Sequence, residues 1–286
     1  MKEKRRSQFN IRYAGLSFLP LIISVILTIV AFFASFMITM ISGGRGVAES
    51  GDTIVNEGIF NIIRYTLFII IFGWWYAALT SDESAKDILE KRILNHFKRI
   101  TSNKKKMGVI LAMLLVIGLG LQFMVSAIIG LLNHLFPELF VHYNELIESI
   151  TSNQSIVYII SVVLFAPIAE EILFRGVILK YAEQAFPAYP AIFVSALLFG
   201  LYHGNLIQGT YAVAIGFLMG VLVIKTDSIL PSMFLHFIIN LSEYLIPDSV
   251  YSRTVPCVVI IVISAIISGV VIVALIRKFN KTVNVL

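Results

Sequence analysis

The sequence predicts an all-α fold, a polytopic membrane protein of about eight transmembrane helices, on three observations. Of its 286 residues, 58% are hydrophobic and only 14% charged, where soluble domains run near a quarter charged; the mean hydropathy is +0.90. Apolar runs of roughly 20 residues, the length that crosses a ~30 Å hydrocarbon core, recur along the chain. Basic residues gather at the ends of those runs, where they orient a membrane protein. That placement accounts for the net charge of +5 without nucleic acid, so the first partner is the lipid bilayer. The single cysteine, Cys257, lies in an apolar run, so no intrachain disulfide forms.

The expected spans are 15–42, 59–80, 107–135, 155–181, 188–206, 208–225, 228–247 and 255–277. The first follows a basic tail (Lys2, Lys4, Arg5, Arg6, Arg12). Its apolar run is too long for the core of a signal peptide and no A-x-A-like site ends it, so a retained anchor is expected. Between the second and third spans, residues 82–106 have acidic residues in the first turns and basic ones in the last. Ile88, Leu89, Ile93, Leu94 and Phe97 recur at helical spacing, which predicts an interfacial helix along the cytoplasmic face. The 176–187 turn, Lys225, and Arg277, Lys278 and Lys281 fall on that same side. The opposite segments, 43–58 and 136–154, carry Glu49, Asp52, Glu57, Glu138, Glu145 and Glu148 against Arg45. The positive-inside rule then puts both termini in the cytoplasm of a multi-pass cell-membrane protein.

Six polar groups stand out within the spans of the second half. They are Glu170, Glu171 and Arg175 in the fourth, His203 in the fifth, and His236 with Asn240 in the seventh. Three ionised groups in one span cost on the order of 8–10 kcal/mol on insertion scales, which makes them a functional-site hypothesis by default. Glu171 and Arg175 are four apart with the acid N-terminal, the favourable order for a helical ion pair. That pair is read as mainly structural. Glu170 lies about 100° around the helix and is free for chemistry. His236 and Asn240, also four apart, share a face.

A dehydrated carboxylate is a useful general base, imidazoles hold water, carry protons or bind metal, and an amide N–H donates to an oxyanion. With no convincing Ser or Cys nucleophile, the set suits water-mediated hydrolysis of an amide. A structural ion-pair network, a proton relay in a transporter, and a catalytically silent regulator acting through a partner are the competing readings. Gly200/Gly204 and Gly216/Gly220 are small-xxx-small pairs that let helices approach closely. His96, His134, His142 and Glu243 are expected to be incidental.

EEILFR (Glu170 to Arg175) fits an EExxxR motif, FGLYH (Phe199 to His203) fits FxxxH, and HFIIN (His236 to Asn240) fits HxxxN. In that order, on successive helices, these resemble the CAAX protease and bacteriocin-processing (Abi) family of intramembrane endopeptidases, and the flanking text is similar to bacterial members. The resemblance implies a membrane endopeptidase in which Glu170 activates water with the aid of His203. His236 and Asn240 would position the water or stabilise the oxyanion, and Glu171 and Arg175 would support the site. It implies a peptide or membrane-protein substrate, such as a pheromone precursor, a bacteriocin leader peptide or a membrane-anchored regulator; self-immunity to a bacteriocin is the alternative role. The sequence has neither HExxH nor a three-ligand cluster with metal-like spacing, so no cofactor is expected. Zinc held by Glu170, His203 and His236 is the alternative.

The expected organisation is 1–154, N-terminal transmembrane helices with the 82–106 interfacial helix; 155–247, the catalytic core; and 248–286, a C-terminal transmembrane helix and basic tail. Counting at ~1.5 Å per residue puts Glu170 near mid-span but His203 near the outer end of the fifth span. Their meeting requires that helix to start deeper or tilt, helped by Pro187 and Pro190.

Overall fold

A computed structural model describes residues 10–41, 56–80, 104–152, 155–246 and 254–283. The described residues are helical almost throughout. In chain order the helices are α1 (Ile11–Leu16), α2 (Leu19–Ile41), α3 (Glu57–Thr80), α4 (Lys104–Leu135) and α5 (Pro137–Ser152). They continue as α6 (Ile156–Ala185), α7 (Ala188–Tyr202), α8 (Leu206–Thr226), α9 (Leu230–Glu243) and α10 (Thr254–Val283). Six segments are long and apolar enough to cross a membrane: Ile11–Ile41, Glu57–Thr80, Met107–Leu135, Ile156–Ala185, Leu206–Thr226 and Pro256–Lys278. The protein is therefore an all-α, multi-pass membrane protein. The other two expected spans are short helices, α7 of 15 residues and α9 of 14. The interfacial helix expected over 82–106 falls, up to residue 103, outside the described residues.

Local chemistry sets the breaks. Pro20 has no N–H to give the carbonyl of Leu16, and the first span turns at Ser17–Phe18 before resuming. Residues 136–154, expected as a connecting segment, instead form α5. Pro137 sits in its first turn, where the missing N–H costs nothing, and Phe140 and Tyr143 are buried. Phe186, extended ahead of Pro187, ends α6; Pro187 then caps α7, and Pro190 occupies a first-turn position. Gly204, at φ +66°, turns the chain between α7 and α8. Asn205 then caps α8, its side-chain oxygen accepting from the N–H groups of Ile207 (3.0 Å) and Gln208 (3.1 Å).

The helix at the centre is α6. Every residue from Ala169 to Leu179 is buried, and a helix buried on every face is one surrounded by others. Phe68 and Phe72 of α3, Leu173, Phe174 and Ile178 of α6, and Ile192 and Phe199 of α7 form one packed cluster about it. A second cluster joins α4, α8 and α9 through Leu114, Ile117, Met219 and Leu235. By contrast, α10 exposes Val262, Ile266 and Val270, and α2 exposes Ile22, Ile26 and Phe33. Those outward faces are the ones that meet lipid.

Two stretches of α6 are π-helical, Ser161–Phe165 and Ile172–Ile178, and they bracket the α-helical Ala166–Glu171. The N–H of Ala166 bonds the carbonyl of Ser161, and that of Leu179 bonds Phe174, each five residues back. Such wide turns are frequent at functional sites, and here they flank the two glutamates.

Candidate active site

The ion pair expected within α6 is formed. The carboxylate of Glu171 accepts from Arg175 Nη1 at 2.8 Å, and both side chains are wholly buried. Arg175 Nη2 donates to the carbonyl of Gly216 on α8 at 3.1 Å, and its guanidinium carbon lies 4.4 Å from the centre of the Phe199 ring. This is why residue 216 is glycine: a Cβ there would lie 2.9 Å from Arg175 Nη2 and 3.0 Å from Phe199. Close approach also governs the α7–α8 contact, where a Cβ on Gly200 would meet the carbonyl oxygen of Gly209 at 2.6 Å.

Glu171 does more than neutralise Arg175. The same Oε1 is 3.2 Å from Nδ1 of His236 on α9, 65 residues away in sequence. Facing a carboxylate, Nδ1 carries the proton and donates; in a neutral ring this leaves Nε2 a bare acceptor. That Nε2 points at Glu170, 3.8 Å from its Oε2. The gap is too long for a direct hydrogen bond. One imidazole thus touches both glutamates, anchored by one and presented to the other.

Asn240, one turn beyond His236, has its own fixed task. Its side-chain amide donates to the carbonyl of Val162 at 2.9 Å. Val162 lies in the first π stretch, where the N–H serving its carbonyl would come five residues on. That residue is Pro167, which has no N–H. Asn240 supplies the missing donor and locks α9 against α6. The amide nitrogen carries two hydrogens, so one remains for other use.

His203 lies immediately past the last residue of α7 rather than inside a span reaching 206. Its Nδ1–H donates to the carbonyl of Phe199 at 2.8 Å, again leaving Nε2 as the acceptor. The Phe199 ring stands edge-on to both imidazoles, 4.7 Å from His203 and 5.7 Å from His236. The difficulty of depth is answered by length. At ~1.5 Å per residue α7 rises only about 22 Å, short of a ~30 Å hydrocarbon core, so its C-terminal end reaches the level of Glu170. Glu170, His203, His236 and Asn240 all line one cavity of about 700 Å³. Glu171 and Arg175 do not line it, which divides the six polar groups as their spacing predicts.

Sequence reasoning passed over the other wall. From α3, Arg64 and Tyr65 face the same cavity. Arg64 Nη2 donates to the Tyr65 hydroxyl at 2.5 Å, and that hydroxyl approaches Glu170 Oε1 at 3.5 Å. The signal was available, because Arg64 is a charge inside an apolar run, the test that singled out α6. Glu243, expected to be incidental, also lines the cavity and accepts from the Gln122 amide of α4.

Zinc held by Glu170, His203 and His236 is the alternative the sequence left open. Among the described residues no three His, Cys, Asp or Glu side chains are grouped to hold a metal ion.

Residues 152–242, about a third of the chain, match the family model of the Rce1-like type II CAAX prenyl endopeptidases. The matched segment carries all six polar residues, and it agrees with the CAAX-protease resemblance of the three motifs. Nothing among curated proteins or solved structures matches the chain.

Proposed function

We propose that this protein is an intramembrane endopeptidase that hydrolyses peptide bonds of membrane-associated peptides or proteins, with Glu170 as the base that activates water. The observation that carries this reading is the convergence of Glu170, His203, His236 and Asn240 on one cavity inside the helical bundle. Two acceptors, Glu170 Oε2 and His236 Nε2, face each other across 3.8 Å. A water donating one hydrogen to each turns its lone pairs toward a third direction, that of a peptide carbonyl carbon. As its oxygen attacks, Glu170 takes the proton, and it later returns that proton to the leaving amine. The products are a carboxylic acid and an amine, and Glu170 is restored.

Asn240, held by Val162 through one amide hydrogen, offers the other to the oxyanion of the tetrahedral intermediate. His203, its Nδ1 anchored on Phe199, lines the same cavity and keeps Nε2 as an acceptor for a hydrogen of the substrate or of a second water. Glu171 and Arg175 act through His236 and touch no substrate. Residues 155–247 form the catalytic core, with α2 and α3 completing the wall, and both termini lie in the cytoplasm.

The test compares the peptides of membranes carrying wild type with those carrying Glu170→Ala. Specific new termini are expected only with wild type, while both proteins insert equally. Unchanged processing would leave a membrane protein that regulates a partner without cleaving it.

A further inference from the structure

Arg64 is the cation of this cavity that no mechanism step uses. It lies two turns into α3, within a membrane-crossing segment, where a charged side chain is costly unless partnered. Arg175, the comparable cation of α6, has a carboxylate at 2.8 Å. Arg64 has a phenol: its Nη2 donates to Tyr65, and its guanidinium carbon lies 4.4 Å from the centre of the Tyr65 ring and 5.2 Å from that of Phe60. No ion pair joins it to any described carboxylate, and its Nε is buried without a hydrogen-bond partner. Of five N–H donors it therefore has several to give, and it faces the cavity that holds Glu170 and His236.

We propose that Arg64 is the substrate-recognition cation of this site and binds a carboxylate of the peptide close to the bond that is cleaved. The inference rests on the endopeptidase reading and adds the chemical class of its substrate. A planar guanidinium with free donors matches a carboxylate in a two-point clamp, and the surrounding low dielectric strengthens that pairing. Two contacts in series, 2.5 Å to the Tyr65 hydroxyl and 3.5 Å on to Glu170, tie the clamp to the base. Extended peptide advances ~3.3–3.6 Å per residue, so an anion seated at Arg64 places a nearby carbonyl at Glu170. Electrostatics favours the same arrangement. When Glu170 accepts the proton of water it loses its charge, and a bound carboxylate then balances Arg64.

The carboxylate has two sources, a peptide C-terminus or an acidic side chain. Three N-palmitoylated decapeptides of Ala, Leu and Ser separate them: one with a free C-terminus, one C-terminally amidated, and one amidated with a single internal Glu. Affinities are read from the concentration dependence of thermal stabilisation in nanodiscs, and cleavage by mass spectrometry. Wild type is expected to bind at least one anionic peptide tenfold or more tighter than the neutral one, and the tighter of the two names the source. Arg64→Gln should erase that preference while neutral-peptide affinity stays within about threefold; Arg64→Lys should retain part of it. Equal wild-type affinity for all three peptides overturns the proposal whether or not the variants fold, and so does a preference that survives Arg64→Gln. Discrimination in binding with no cleavage of any peptide would support the clamp and count against the protease reading. Cleavage that ignores charge would do the reverse.

Discussion

Arg175→Met tests whether Glu171 is held by its buried partner. Methionine keeps most of the length and removes three interactions: the 2.8 Å bond to Glu171, the 3.1 Å bond to the Gly216 carbonyl, and the contact with the Phe199 ring. The Gly216 carbonyl lies inside α8, where the N–H four residues on already serves it, so its loss is minor. One-sided removal of a buried ion pair costs about 3–5 kcal/mol, and the cation–π contact adds about 0.5–2 kcal/mol. At ~2–4 °C per kcal/mol for a chain somewhat smaller than this one, the melting temperature should fall on the order of 10–20 °C. Glu171→Gln/Arg175→Met, which removes both charges, should recover more than half of that loss, because the dominant cost is the orphaned carboxylate. The assay is thermal unfolding in nanodiscs at one fixed scan rate. A melting temperature within 2 °C of wild type for Arg175→Met, or strict additivity in the double variant, would refute the reasoning.

Asn240→Leu leaves the carbonyl of Val162 without a donor and should cost about 1–3 kcal/mol; the loss should shrink in a Pro167→Ala background, which restores a backbone N–H within reach. Equal losses in the two backgrounds, read by the same melting assay, would mean that Asn240 does not substitute for that N–H. Gly216→Ala drives a methyl against Arg175 and Phe199 and should destabilise by about 1–3 kcal/mol. Gly269→Ala, which meets nothing within 4 Å, is the control and should be near neutral.

The fold class was legible because long apolar runs are a property of composition, and the polar groups of α6 because a charge in such a run is conspicuous. The division between Glu170 and Glu171 followed from helical angle alone. The second role of Glu171 did not, since its contact with His236 joins residues 65 apart and one chain's local pattern carries no sign of it. Nor do side chains announce a π turn, which is a choice of backbone partner; Pro167 beside an apolar run gave only a hint of an unserved carbonyl. The placement of His203 failed by boundary. Gly204 after it marked the end of a helix, and reading 188–206 as one span pushed His203 too far outward. For α5, Phe140, Tyr143 and Ile147 recur at three and four behind Pro137 and Glu138, a helical pattern obscured by the expectation of a connecting segment. The glutamate, histidines and asparagine that share the cavity all lie in one half of the chain, whereas Arg64, on the opposite wall, lies in the other half with no motif beside it.

The shortness of α7 has a consequence beyond the placing of His203. Its exposed residues Tyr189, Phe193, Leu197 and Leu201 are spaced by four and form one outward stripe, so this helix borders lipid directly. A helix rising about 22 Å is shorter than the hydrocarbon core, a mismatch met by thinning of the adjacent lipid, by snorkelling of flanking residues or by association. Thinning along this flank would draw the polar boundary of the membrane inward toward the cavity. Hydrolysis needs water where a bilayer holds least of it, and a thinned flank shortens the distance water must travel.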